Sequence, residues 1–217
     1  MKFFKTPALI KLAFRECIWK IPAKEKVIYL TFDDGPQPGL TEYILETLKK
    51  YQAKATFFCV GENITKYPDL AQLILDEGHE IANHTFNHLQ GWKTSLEDYF
   101  KNIDFFESSA AEQLQDFKST KLFRPPHGQL TLKQKNRLKK LGFHIVMWDI
   151  LSYDFVKDLD REHALKQITR STSRGSIALF HDNYKAENNL KYLLPEYLDY
   201  FAEKNYRFAK VGDGLLN

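Results

Sequence analysis

Thr31-Phe32-Asp33-Asp34-Gly35-Pro36 places two carboxylates side by side directly after the apolar run Val27 to Leu30. Adjacent carboxylates leaving an extended strand are expected to point different ways, so one can bind a metal while the other stays free to move a proton. Alone, Asp-Gly-Pro also reads as an ordinary turn. Downstream, His84-Thr85-Phe86-Asn87-His88 supplies two imidazoles at i and i+4. If that segment turns helical they share a face and can chelate one divalent ion. With a carboxylate as third ligand, such a site keeps open positions for water and substrate. A lone pair at this spacing is as readily coincidence. His79 reads instead as a residue at the start of a strand, packed or hydrogen-bonded in place.

Three further clusters follow. Phe123-Arg124-Pro125-Pro126-His127-Gly128 sets an arginine before a proline, which forces extended backbone there. Its guanidinium can pair with a carboxylate and hold it ionised. Trp148-Asp149-Ile150-Leu151-Ser152-Tyr153-Asp154-Phe155 supplies aromatics and two acids, and Leu179-Phe180-His181-Asp182 ends another apolar run in a histidine. Singly, each has a structural reading: a histidine closing a buried strand, or an acid serving as a cap.

All five clusters fall just after predicted strands, and α/β barrels build their sites at the carboxyl ends of parallel strands. Short runs rich in β-branched and aromatic residues alternate with longer amphipathic ones. They predict strands near Val27–Phe32, Ala55–Val60, Glu80–Asn83, Lys121–Arg124, His144–Trp148, Ser176–Phe180 and Tyr206–Lys210. Predicted helices are Thr41–Tyr51, Pro68–Glu77, Thr94–Phe117, Thr131–Leu141, Glu162–Ser171 and Asn188–Glu203. This is an α/β pattern with too few alternations for a complete eight-stranded barrel, which typically takes ~250 residues. A smaller or distorted (β/α) barrel is expected, with residues 1–25 as an N-terminal helical extension packed on a domain of residues 26–217.

Taken together and in this order, the clusters make the chain resemble the polysaccharide deacetylases of carbohydrate esterase family 4, which share the NodB homology domain. The resemblance spans about Lys26 to Lys210. It implies a distorted seven-stranded (β/α) barrel that removes N-acetyl groups from an N-acetylglucosamine-type carbohydrate and releases acetate. It also implies one divalent metal, zinc or another transition metal, held by Asp34, His84 and His88. Asp33 maps onto the general base and Arg124 onto the arginine that steadies it. The backbone N–H of His127 maps onto an oxyanion donor, His181 onto the general acid, and Asp154 onto the acid's orienting partner. Trp148 and Phe155 fall on the pocket wall. Two departures stand out: His127 where the family usually has Tyr or a similar aromatic, and Phe155 where Trp is frequent. Both bear on the substrate rather than the reaction. The alternatives are a metal-dependent amidase for a small non-sugar amide and a carbohydrate-binding domain that has lost catalysis. The second would show loss of the base or acid, and both Asp33 and His181 are present.

The composition fits this reading. Of 217 residues, 43% are hydrophobic and 27% charged, the make-up of a globular chain. A chain of this size buries roughly 70–75% of its unfolded surface, so it needs neither disulfide nor metal merely to fold. A net charge of +3 falls short of the basic excess of a nucleic-acid binder. Cys17 and Cys59 have no metal-ligand spacing and are expected as reduced core thiols.

No run is long and apolar enough to span a membrane. Near the N-terminus, Lys5, Lys11 and Arg15 interrupt the apolar residues before a signal-peptide core can form, so a cytoplasmic or membrane-surface location is expected. Thr6 and Pro7 predict a helix start, with Leu9, Ile10, Ala13, Phe14, Cys17 and Ile18 at helical spacing up to Pro22. The expectation is a helix packed on the domain. A weak membrane-surface helix is the alternative, because the first 20 residues carry five Lys or Arg and one Glu. The sequence does not indicate an oligomeric state.

Overall fold

The computed structural model describes residues 2–215. Its centre is strand β1 (Val27–Asp33), a run of seven buried residues whose only charge is at its carboxyl end. A strand covered on both faces needs such a composition. It is followed by β2 (Thr56–Cys59), β3 (Glu80–Asn83), β4 (Leu122–Phe123), β5 (His144–Ile145), β6 (Ile150–Leu151), β7 (Ile177–His181) and β8 (Arg207–Ala209). The strand path runs β5-β4-β3-β2-β1-β7-β6, and β8 pairs with the first half of β1. Every strand pairing is parallel. This is the distorted (β/α) barrel expected, with seven parallel strands along its curled path. All seven predicted strands form; β6 is additional, and the predicted Tyr206–Lys210 strand becomes the short β8 beside the path.

The helices are α1 (Ala8–Ala13), α2 (Leu40–Lys50), α3 (Gly61–Lys66), α4 (Pro68–Asp76), α5 (Leu96–Gln113), α6 (Leu132–Lys140), α7 (Arg161–Ser171), α8 (Glu187–Ala202) and α9 (Val211–Leu215). Local chemistry fixes several starts. Ser95 Oγ accepts the Asp98 N–H at 3.1 Å, and Asp160 accepts that of His163 at 2.9 Å. Thr131 and Gln134 cap each other's backbone at the start of α6. The main core lies between β1, β2 and β7 and helices α2 and α8, around Phe32, Phe57, Phe180, Ile44, Leu194 and Tyr197. Cys17 and Cys59 are buried free thiols.

The two ends of the strand path, β5 and β6, are successive in sequence, and the N-terminal segment is laced along the seam between them. Ile18 N–H donates to Ile145 O, and Met147 N–H donates to Ile18 O, both at 2.8 Å. Thr6 N–H reaches Asp149 O at 2.9 Å, Leu151 N–H reaches Phe4 O at 3.0 Å, and Ile21 N–H reaches Gly175 O at 2.9 Å. These bonds correct the expectation of a helix running to Pro22. The helix stops at Ala13 because the residues after it are drawn out to satisfy the open backbone of the seam. Its first residue is Ala8, and the Thr6 hydroxyl donates to Trp148 O instead of capping it.

Candidate active site

Asp33 ends β1, and Asp34 follows with φ of 82°. That left-handed turn corrects the expectation that the carboxylates diverge. Both line one cleft of about 390 Å³ at the carboxyl end of the sheet, together with His84, His88, His127, Trp148, Phe155 and His181. Arg124 and Asp154 lie fully buried behind its walls. The structure therefore gathers every sequence-predicted site residue around this cleft. Asp149, the other acid of the fourth cluster, goes elsewhere: it is buried, accepts the Ser176 hydroxyl at 2.6 Å and pairs with Lys11.

Arg124 grips Asp33. One guanidinium nitrogen donates to Asp33 Oδ1 at 2.6 Å and to Thr31 Oγ1 at 2.9 Å, while the others reach the Val146 and Met147 carbonyls. The cation also lies 4.1 Å from the centre of the Phe58 ring. All of this is buried, so Asp33 is fixed in orientation with one oxygen committed and Oδ2 left toward His84 Nε2, 3.8 Å away.

His84 and His88 reach Asp34 without a helix. Thr85 and His88 take φ of 63° and 54°, which breaks helical winding and corrects that expectation. The loop is instead pinned from α5, where Asn102 Oδ1 accepts the N–H groups of Phe86 and Asn87 at 2.7 and 3.0 Å. The result is the same convergence: Asp34 Oδ1 lies 3.5 Å from His84 Nε2 and 3.1 Å from His88 Nε2. Burial would raise the Asp34 carboxyl, but the two imidazoles and the charge of His181 hold it well below the usual carboxylate range.

The chemistry of this donor set suits a divalent cation. His84 Nδ1 is 2.7 Å from Arg124 O and must carry its proton there, so in the neutral ring Nε2 presents a lone pair. Nε2 therefore reaches Asp34 Oδ1 either as a donor, when the ring is an imidazolium, or, in the neutral ring, through a cation shared with the carboxylate. Asp34, His84 and His88 have ligand atoms within 4.8 Å of one another. Two imidazoles and one carboxylate match the preferences of zinc and similar ions.

Across the cleft, both oxygens of Asp154 serve His181: Oδ1 accepts from Nδ1 and Oδ2 from the backbone N–H, each at 2.8 Å. Burial would lower the His181 pKa, but the adjoining Asp154 carboxylate outweighs it and, with Asp34 and Asp33, pushes it up to about 9. The ring stacks edge-on to Phe155, with centroids 4.9 Å apart. His127 takes φ of 57° in a tight turn whose hydrogen bonds run from Gly128 to Pro125 and from Gln129 to Pro126, so its own N–H takes part in neither. Its ring packs against His88 at 4.7 Å.

Two positioning residues escape the sequence reading. Asn183 Nδ2 donates to Asp34 Oδ2 at 2.6 Å, while its Oδ1 accepts the Ala186 N–H at 3.1 Å, which fixes the amide's orientation. Asn102, described above, is the other. The available signal for Asn183 was its place two residues beyond His181; for Asn102, on a long amphipathic helix, there was none.

The sequence pattern of the polysaccharide deacetylase family matches residues 20–146. The chain is 33% identical over 204 residues to a peptidoglycan-N-acetylglucosamine deacetylase of Bacillus cereus, covering 91% of this chain and 92% of that one. It is 32% identical over 165 residues to the peptidoglycan-N-acetylmuramic acid deacetylase PdaC of Bacillus subtilis, covering 76% of this chain and 34% of that longer protein. A crystal structure of a peptidoglycan N-acetylglucosamine deacetylase, in complex with 4-naphthalen-1-yl-N-oxidanyl-benzamide, superposes with a TM-score of 0.86 at 27% identity, covering 94% of this chain and 95% of the other. The chain belongs to the polysaccharide deacetylase family.

Proposed function

We propose that this chain is a metal-dependent hydrolase that removes N-acetyl groups from an N-acetylglucosamine-type carbohydrate. The observation that carries the reading is the placement of an arginine-held carboxylate, Asp33, and a carboxylate-held imidazole, His181, on one cleft beside three convergent ligands. The names of the relatives, deacetylases of peptidoglycan amino sugars, support this substrate class.

Asp34, His84 and His88 would hold the divalent ion, which when bound polarises a carbonyl and acidifies a water. Asp33 takes the proton of the water that attacks the acetamide carbon, and Arg124 keeps Asp33 aimed. The N–H of His127 faces the oxygen on which negative charge develops. As the carbon–nitrogen bond breaks, His181 gives its proton to the departing amine, so acetate and a free amino sugar leave. Trp148 and Phe155 flank the cleft as apolar walls for a sugar ring.

The test is acetate release from N-acetylglucosamine oligomers and from peptidoglycan fragments, run beside cyclic ureides and imides. Acetate from the glycans supports the reading. Turnover of the small amides alone would move the chain to the amidase reading, and glycan binding without turnover by metal-loaded protein would make it a binding domain.

A further inference from the structure

Helix α1 is built inside out. Lys11 is its one residue turned inward, where it pairs with the fully buried Asp149. Leu9, Ile10 and Leu12 face outward, 79%, 44% and 68% exposed. In water, amphipathic helices bury the leucines and expose the lysine.

Ile10 does not stand alone. Ile10, Phe14, Trp92 and Leu132 line one apolar cavity of about 270 Å³, with Trp19 and Met147 among its remaining lining. Trp92 and Leu132 are themselves 66% and 67% exposed. The Trp92 N–H is satisfied by Leu130 O at 3.1 Å, so its ring projects without an unmet polar group. Contiguous exposed apolar surface of this kind marks an interaction site.

Charge identifies the partner. Arg15, Lys93 and Lys133, each next in sequence to a residue of this face, are exposed and form no ion pair among the described residues. The neighbouring carboxylate, Glu16, is already held by Lys135 and Lys139. Leucines and a tryptophan fringed by unpaired cations match a bilayer interface with anionic headgroups. We propose that this face docks on an anionic lipid bilayer, with Leu9, Leu12, Trp92 and Leu132 entering the headgroup–acyl boundary and the fringe cations meeting lipid phosphate. Gly128 lines both the apolar cavity and the catalytic cleft, so docking sets the cleft beside the lipid surface.

The test is co-sedimentation of the full chain with phosphatidylcholine vesicles with and without phosphatidylglycerol. The chain should pellet with the anionic vesicles, and binding should weaken as salt rises. The double variant Leu9→Gln, Leu12→Gln should lose roughly 100-fold in partitioning, since each leucine side chain buried adds about a factor of ten. Acetate release from a soluble oligosaccharide and Tm should be unchanged, because both side chains already face solvent. As a measurement independent of that variant's folding, lipids brominated in the upper acyl chain should quench fluorescence of the wild type, and Trp92→Phe should lose most of that quenching. Failure of the wild type to bind anionic vesicles overturns the proposal. So does binding that is unaffected in a folded double variant, or a dimer in solution that the same variant dissociates while no vesicle binding is found.

Discussion

Asp33 and His181 are register partners, facing each other as the last residues of the adjacent parallel strands β1 and β7. In a parallel pair, residues in register project to the same face, so the base and acid proposed here share the cleft through backbone pairing rather than loop conformation. Asp182 N–H donating to Asp33 O at 2.7 Å locks that pairing at its end.

An ion held by Asp34, His84 and His88 should appear as about one divalent equivalent per chain, and His84→Ala should empty the site. Asn183→Ala should weaken metal affinity by about 10–100-fold, the usual effect of losing a partner behind a ligand. Elemental analysis and competition with a chelator measure both. Unchanged metal content in His84→Ala would refute the ligand assignment.

Asp33→Asn should abolish turnover while metal is retained, because an amide cannot accept the water's proton at neutral pH. It should also cost stability on the order of 3 kcal/mol, since Arg124 stays buried without its counter-charge. Denaturant titration beside metal analysis separates these effects. If the variant lost the metal and Asp34→Asn kept it, the two aspartates would exchange roles.

With His181 as the proposed general acid, its protonated form does the work, so activity should fall as pH rises through about 9, provided bound water does not titrate first. A cation on Asp34 cancels part of the charge that supports His181 and would draw this limb below 9. Asp154→Asn should move the limb further toward the ordinary imidazole range. His181→Ala should lower kcat by roughly 10²–10⁴-fold with metal content constant. An aryl acetate ester, whose leaving group departs without protonation, should be affected less; equal loss on ester and amide would argue against the acid role.

His79 yields a stability prediction away from the site. It is buried, and its Nδ1 accepts the Ala55 N–H at 3.1 Å; burial lowers its pKa to about 4. The unfolded residue titrates near 6.5, so the contribution is complete above 6.5 and is lost as pH falls from there through about 4, worth up to about 3 kcal/mol. His79→Asn keeps an acceptor but has no proton to gain, and should flatten denaturant-measured stability across that window. An unchanged slope would place the titration elsewhere.

The sequence shows the chemistry better than the geometry that assembles it. Carboxylates, imidazoles and the arginine sit after predicted strands because strand composition is a local signal, as the seven buried residues of β1 illustrate. The left-handed turns at Asp34, Thr85 and His88 are at most weak local signals: Asp and His tolerate positive φ better than most residues but seldom adopt it, β-branched Thr disfavours it, and contacts such as that of Asn102 with the His84–His88 loop hold it. Strand β6 is two residues long, too short for any periodicity, and exists through its pairing with β7. The N-terminal segment misled for the same reason. Its apolar spacing suits a helix, but open backbone at the barrel seam competes for residues after Ala13.

That laced seam bears on the order of folding. Its hydrogen bonds join residues 4–21 to residues 145–175, contacts of long sequence separation that are costly to form early. The strap should therefore settle after the strands it covers and be the first part to open again. Hydrogen exchange should report this directly: the amides of Ile21, Met147 and Leu151 should exchange through local release of the strap, well before those of Leu30 and Phe32 at the centre of β1.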